Sequence, residues 1–387
     1  MARQVTTAAV NEARNSHNQF NPVTGLYERT LLLEGSRTNV ALWSEDISAA
    51  AHVGSLGVTY VSNSTLSPDG VNITADTLVQ SSATDVHFHR QDAPVSAAGE
   101  PIAVSRYLKA ATGSVATLNL SNGMSAIATF DLAAGTVTAT SGAQYVRSGI
   151  TPYGNGWYRC WLVGTSTGTA HRFMTYPQAS TASFAGDGTT AIYVWGGQIE
   201  LNAASPSSYN PTTTVAVTRA VDILTRPFTL PPQEMTVYVK YIDRGTNLGV
   251  VSPFLFQIGL TSAASPRLWV YVDGTGVRGV WSDGGGVSQS ITPANPVGFG
   301  EQTEVRIAMS SAGVLTAGVS RNGAPEAVTV GAAAASPLPA AWNGTTLCIG
   351  SRAGNNAGFA AYALPGGVKV ARGVKTMAEM RVFQGAA

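Results

Sequence analysis

Apolar and polar residues alternate with a period of two along most of this chain, and Gly, Asp or Asn interrupts the alternation about every ten residues. Residues 102–110, 114–120, 126–132, 136–139, 157–163, 170–176 and 191–201 are such runs in the first half. A period of two marks a strand with one buried face, and short strands at this spacing predict an antiparallel β-sandwich. The pattern returns at 234–241, 254–260, 268–273, 277–282, 303–310, 315–321, 327–330, 346–349 and 379–383. Asn155-Gly156, Asp273-Gly274 and Asn322-Gly323 follow or separate such runs and predict tight hairpins, because these residue types tolerate positive φ.

The stretch 205–232 carries five prolines and many threonines, which predicts an extended wrap and linker. Residues 1–30 lack apolar periodicity and are rich in Asn, Arg and Gln. They read as an N-terminal arm, either an attachment to another protein or a loose terminus. The predicted division is an arm at 1–30, a sandwich at 31–215, a linker at 216–232 and a second sandwich at 233–387. The fold class is all-β, two sandwiches in tandem. No short internal repeat announces a β-helix.

The alternation also assigns faces. In 157–163, Tyr158, Cys160 and Leu162 point one way and read as core, while Trp157, Arg159 and Trp161 share the other face. Same-face neighbours lie roughly 6.5 to 7 Å apart, about the footprint of one sugar ring on an aromatic shelf. Two readings follow: a glycan contact, or a guanidinium stacked between rings beneath another layer of protein. In 191–199 the Tyr193 and Trp195 set is expected to face a core. Further on, Trp269, Tyr271 and Asp273 share one face, and Val277, Gly279 and Trp281 share a face of the next strand. Paired register would bring the rings together as a sugar cleft; otherwise they fill the sandwich core.

Composition narrows the function classes. Charged residues make up 12% of the 387, about half the usual share, and the formal net charge is +1. No run of Lys and Arg offers a phosphate-tracking groove, so nucleic acid is a poor partner. Cys160 and Cys348 have no metal-type spacing and read as buried free thiols, as in a protein folded in a reducing cytoplasm. Residues 1–10 lack the apolar core of a secretory signal, and no apolar run approaches the ~20 residues of a membrane span. The expectation is synthesis in a bacterial cytoplasm without a signal peptide, with no membrane insertion.

Sequence motifs of catalysis are absent: no Gly-x-Ser-x-Gly elbow, no His-Glu-x-x-His helix, no phosphate-binding Gly-x-x-x-x-Gly-Lys loop. A non-enzyme is expected. A paired-carboxylate glycosidase leaves no linear signature and stays as the depolymerase alternative. His87-Phe88-His89 reads as half of a metal site or as a solvated pair. Asp69, Asp76 and Asp187 lie in or near Gly- and Asn-rich turns, where a structural calcium ion or ordinary turn chemistry accounts for them equally. No other cofactor is expected.

A series of short motifs carries more. Leu33-Glu-Gly-Ser-Arg-Thr-Asn39, Trp43-Ser-Glu-Asp46, Pro68-Asp-Gly70, Thr74-Ala-Asp76, Phe130-Asp-Leu132, Gly154-Asn-Gly-Trp-Tyr-Arg-Cys160 and Val194-Trp-Gly-Gly-Gln-Ile-Glu200 follow in that order. Pro206-Ser-Ser-Tyr-Asn-Pro-Thr212 and Val217-Thr-Arg-Ala220 close the series. In this order they resemble a carbohydrate-binding module of phage virion fibres, found in head-spike fibres, tail fibres and gene transfer agents. The resemblance spans about residues 30–225. It implies a jelly-roll on the outside of a particle that adheres to host cell-surface or capsular polysaccharide, with an arm held by a capsid or spike-base protein. The strand order after residue 232 resembles the concanavalin A-like lectin jelly-roll. Glycan contacts are expected at Trp157, Arg159, Trp161, Trp269, Tyr271 and Trp281; a structural decoration or adaptor protein is the alternative.

Overall fold

In this computed structural model the described residues are 17–21, 23–24, 26–50, 52, 54–220, 222, 224–227, 234–243, 254–259, 267–273, 276–282, 288–293, 298, 300–332, 346–349 and 361–383. In chain order their strands are β1 (His17–Asn21), β2 (Leu26–Leu33), β3 (Arg37–Asn39), β4 (Val58–Leu66), β5 (Ile73–Gln80), β6 (Thr84–Asp85), β7 (His89–Val95), β8 (Pro101–Ala110), β9 (Val115–Ser121), β10 (Ala126–Asp131), β11 (Thr136–Ser141), β12 (Tyr145–Gly154), β13 (Trp157–Thr165), β14 (Ala170–Tyr176), β15 (Phe184–Ala185), β16 (Ala191–Leu201) and β17 (Val217–Arg219). Then come β18 (Leu224–Pro227), β19 (Met235–Asp243), β20 (Phe254–Gly259), β21 (Arg267–Asp273), β22 (Gly276–Ser282), β23 (Ser288–Ile291), β24 (Gln302–Met309), β25 (Leu315–Arg321), β26 (Ala327–Val330), β27 (Thr346–Ile349), β28 (Ala361–Arg372) and a helix, α1 (Met377–Val382).

The protein is all-β, and its strands fall into two units. Among the described residues, Arg37–Arg219 form unit one, while those within Thr7–Ser36 and Ala220–Ala387 form unit two. This threading differs from the predicted division. β2 pairs antiparallel with β28, Leu31 opposite Ala363, and β1 pairs with β2 at the end of the same sheet. Residues 17–36 therefore belong to unit two, and the rest of the predicted arm, residues 1–16, lies outside the described residues. Two segments of the predicted linker are strands: β17 pairs with β3 in unit one, and β18 pairs with β27 in unit two. Local composition reports stiffness, whereas these pairings join positions more than a hundred residues apart.

Unit one is a jelly-roll sandwich of a five-stranded sheet, β11-β10-β9-β14-β7, and a six-stranded sheet, β12-β13-β8-β16-β5-β4. Leu78, Val104, Leu108, Leu118, Phe130, Cys160, Leu162, Phe173 and Ile192 fill the space between them. Cys160 and Leu162 point inward with Tyr158 packed against them, as the alternation predicts. Asn155 and Gly156 hold φ of 53° and 78°, the left-handed pair needed to turn β12 into β13. Both cysteines are buried, and neither is in a disulfide.

One inward position of β8 breaks the apolar rule. Arg106 is 1% exposed, stacks 4.9 Å from the Phe173 ring, and donates to Gln91 Oε1, to Thr175 Oγ1 (3.1 Å) and to His89 Nδ1 (2.7 Å). A guanidinium has only donors, so His89 Nδ1 accepts and its Nε2–H faces His52 Nδ1 (3.1 Å), while His52 Nε2 lies 3.0 Å from Leu42 O and 2.9 Å from Gln91 Nε2. Burial first, then Arg106 and His52, hold the His89 pKa well below the ordinary 6.5, and burial lowers that of His52. His87 and His89 are both fully buried and take different partners, His87 lying against Gly57 O and Phe184 O, so they are neither a solvated pair nor a joint site.

Unit two is a second sandwich, of a seven-stranded sheet, β1-β2-β28-β19-β24-β25-β26, and a six-stranded sheet, β18-β27-β20-β21-β22-β23. Val237, Val239, Val305, Ile307 and Val319 meet Phe256, Ile258, Leu268, Val270, Val272 and Trp281 in its core. The predicted strand at 379–383 is instead part of α1. Thr376 caps it, and the Glu379 side chain accepts from the Thr376 backbone in return, a capping box that outweighs a short alternating run. Met377 and Met380 pack on Tyr238 and Ala371, covering the outer face of the seven-stranded sheet.

Candidate functional site

A cleft of about 570 Å³ opens at one end of unit one, where the ends of β5, β9 and β14 meet the approach to β16. Gln80, Ser114, Pro177, Gln178, Ser180, Phe184, Asp187 and Thr190 are among its walls. Phe184 sits in the small β6–β15 ladder, opposite Asp85, with its ring 4.7 Å from that of His87. Backbone bonds fix the frame: Gln80 N donates to Thr190 O (2.9 Å) and Gly113 N to Ala191 O (2.9 Å). Gly186 makes a close approach, since a Cβ there would stand 2.0 Å from Ser81 O.

The amide orientations follow from their partners. Gln178 Nε2 donates to His87 O (3.1 Å) and Ser180 O (3.2 Å), so its Oε1 turns to Gln80 Nε2 (3.1 Å). Gln80 Oε1 then accepts no hydrogen bond among the described residues. On the rim, Asp187 Oδ1 accepts from Thr189 N (2.8 Å) and Thr190 N (2.7 Å), and Oδ2 from the Thr190 hydroxyl (2.5 Å). Those bonds, that of the Thr190 hydroxyl foremost, depress its pKa far below the ordinary 3.8, so the exposed carboxylate is ionised. An acceptor amide, hydroxyls and one ring in a concave site suit a hydroxyl-rich small ligand.

The residues singled out by alternation lie elsewhere. Trp157 is 1% exposed, donates its indole N–H to Leu66 O (3.1 Å), and packs with Ala75, Tyr107, Trp195 and Tyr209 on the outer side of the six-stranded sheet. Arg159 is also buried, donates to Ser105 Oγ (2.9 Å) and lies 5.6 Å from the Tyr107 ring. The end of β4 and Tyr209 cover Trp157, and with Arg159 buried as well neither presents a shelf to a sugar. Tyr193 and Trp195 join this second apolar layer, as expected of a core-facing set. Trp161 is half-buried against Ala103, Val163 and Ala203, and the facing Gly149 makes room: a Cβ there would meet its ring at 2.5 Å.

In unit two the register separates the predicted cluster. Leu268 stands opposite Trp281 and Val270 opposite Gly279, so Trp281 faces inward and is a core residue, 1% exposed. Trp269 and Tyr271 are half-buried on the opposite face, Trp269 beneath Arg267 (4.7 Å) and Tyr271 beneath Arg278 (5.9 Å). The three aspartates do not converge. Burial acts to raise the Asp69 pKa, but bonds from Val71 N, Ser67 and Asn72 bring it down to about 2. Asp76 binds Ile47 N and Asn63 N, and burial raises its pKa. Among the described residues no three His, Cys, Asp or Glu side chains group as a metal site.

No family model matches the chain, and no curated protein matches it. Among solved structures it is similar to tailspike protein 2 of the Escherichia coli O157:H7 bacteriophage CAB120, at 18% identity and a TM-score of 0.31 over 40% of this chain and 22% of that one. It thus spans less than a quarter of that tailspike. A heptameric SAP-like pentraxin from Limulus polyphemus is similar at 15% identity and 0.30, over 41% of this chain and 72% of that one. Domains LG4-5 of the mouse laminin alpha1 chain give 9% and 0.26, over 76% and 89%. Overlaps this loose carry no functional argument. No helix among the described residues is long and apolar enough to cross a membrane.

Proposed function

We propose that this chain is a non-enzymatic surface protein of a phage or phage-like particle, a head spike or tail fibre, that adheres to host polysaccharide through the unit-one cleft. The cleft lining carries the reading: an amide acceptor, hydroxyls and a ring in a recess of sugar size. The ordered motif series and the low charge support the particle setting. Asp187 is the single acidic residue in the lining, whereas hydrolysis by a carboxylate pair needs two, about 5 to 9.5 Å apart; the cleft therefore favours binding over cleavage. A site of this kind binds one saccharide at about 1 mM, and many copies on one particle convert that into capture. Attachment to a capsid or spike-base protein through the residues that precede β1 belongs to the same proposal.

The test is retention of the purified protein, displayed on beads, by host cells with and without capsule. Gln80→Ala and Phe184→Ala are expected to reduce retention at least tenfold while the melting temperature holds, and Trp269→Ala to leave it. Retention that survives both cleft substitutions, or that is absent from wild type on both cell types, refutes the site.

A further inference from the structure

We infer that the unit-one cleft selects uncharged saccharides and turns away those bearing carboxylate or sulfate groups, an inference that rests on the glycan-binding reading above. The lining contains no Lys, Arg or His. Anionic sugars are held by guanidinium forks or ammonium groups, whose charge offsets the loss of water from the anion. Both amide donors of Gln178 are committed, and one of the two of Gln80. Both contacts of Gln178 Nε2 run to backbone carbonyls, and Gln80 Nε2 runs to Gln178 Oε1. Gln80 Oε1 accepts no hydrogen bond among the described residues, and the Ser114 and Ser180 hydroxyls belong to the same lining. An acceptor is matched by a sugar hydroxyl, which has a proton to give, and not by a carboxylate or sulfate, which has none.

The rim adds repulsion. Asp187 is the single charge in the lining, and three hydrogen bonds from Thr189 and Thr190 keep it ionised. At about 6 Å in water-like surroundings, one such charge weakens binding of a second anion about threefold. The desolvation of an unpaired ligand anion inside the cleft acts in the same direction.

Affinity gel electrophoresis of the full chain tests this with neutral polymers (dextran, galactomannan, xyloglucan) and their carboxymethyl derivatives, which share each backbone and differ in charge. The expected result is retardation by at least one neutral polymer, at least threefold weaker retardation by its carboxymethyl form, and loss of both in Gln80→Ala and Phe184→Ala. Asp187→Asn keeps an oxygen for the two backbone N–H groups and is expected to raise the acidic-to-neutral ratio about threefold. Carboxymethyl polymers retained as strongly as neutral ones, with the cleft substitutions abolishing both, overturn the selectivity and leave the cleft as a glycan site. Retention by no polymer, or retention indifferent to the cleft substitutions in variants that melt normally, overturns the site and the selectivity together.

Discussion

Lowering the pH from 7.5 to 5.5 acts directly on the buried chain Arg106–His89–His52. His89 accepts a hydrogen bond from Arg106 at Nδ1, and the pKa values of His89 and His52 are both held below the ordinary 6.5. The unfolded chain therefore binds these protons more readily than the folded one. Their contribution to stability is complete above pH 6.5 and is lost as the pH falls from 6.5 toward the folded pKa values. The slope is about 1.4 kcal/mol per pH unit for each imidazole, and about 2.8 kcal/mol for the pair while both stay neutral. That is a large part of the ~5 to 15 kcal/mol that holds a domain together. Glu45 and Asp76, whose pKa values burial raises, gain stability as they protonate and flatten the curve at its acid end. The assay is urea unfolding at pH 7.5, 6.5 and 5.5, read by pulsed hydrogen exchange of the peptide that covers Pro101–Ala110. Wild type should weaken steeply below pH 6.5, and the double variant His89→Asn, His52→Gln should lose most of that slope. An equal slope in the variant, or a flat wild type, refutes the proton order assigned to the chain.

Other expectations concern positions where packing and binding diverge. Trp157→Ala should cost about 3 to 5 kcal/mol, measured by chemical denaturation, because it empties a buried site and strands Leu66 O. Trp281→Ala should cost unit two a similar amount, whereas Trp269→Ala should cost about 1 kcal/mol or less in the same measurement. Thr376→Ala removes the cap of α1 and should lower stability by about 1 kcal/mol, with faster hydrogen exchange at 377–382 as its local sign.

Strand periodicity and turn dipeptides were legible because they are local. Asn155-Gly156 and Asn322-Gly323 have the positive φ values that their residue types predict, and the inward set around Cys160 follows from a period of two. Alternation separates two faces, yet it does not say what covers each. Trp157 lies on the face that alternation gives it, but Leu66 and Tyr209, distant in sequence, bury it there. Register was equally hidden, since a shift of one residue sends Trp281 from a shared cleft to the core. The cleft came from loops at 113–115 and 177–190, whose amides and small residues carry no pattern of their own. The one local signal passed over was Thr376-x-x-Glu379 ahead of α1.

The pairing of β2 with β28 sets an order of events at the ribosome. Unit one, Arg37–Arg219, can close as soon as its last strand emerges, whereas β2 is already made and must wait for Ala361–Arg372. At ~5 to 20 residues per second that wait, the stretch from Leu33 to Ala361, takes roughly 16 to 66 s. Throughout it, Leu31-Leu32-Leu33 offers an unpaired apolar edge to any passing nascent chain. One of the earliest strands to be synthesised is thus among the last to find its partner.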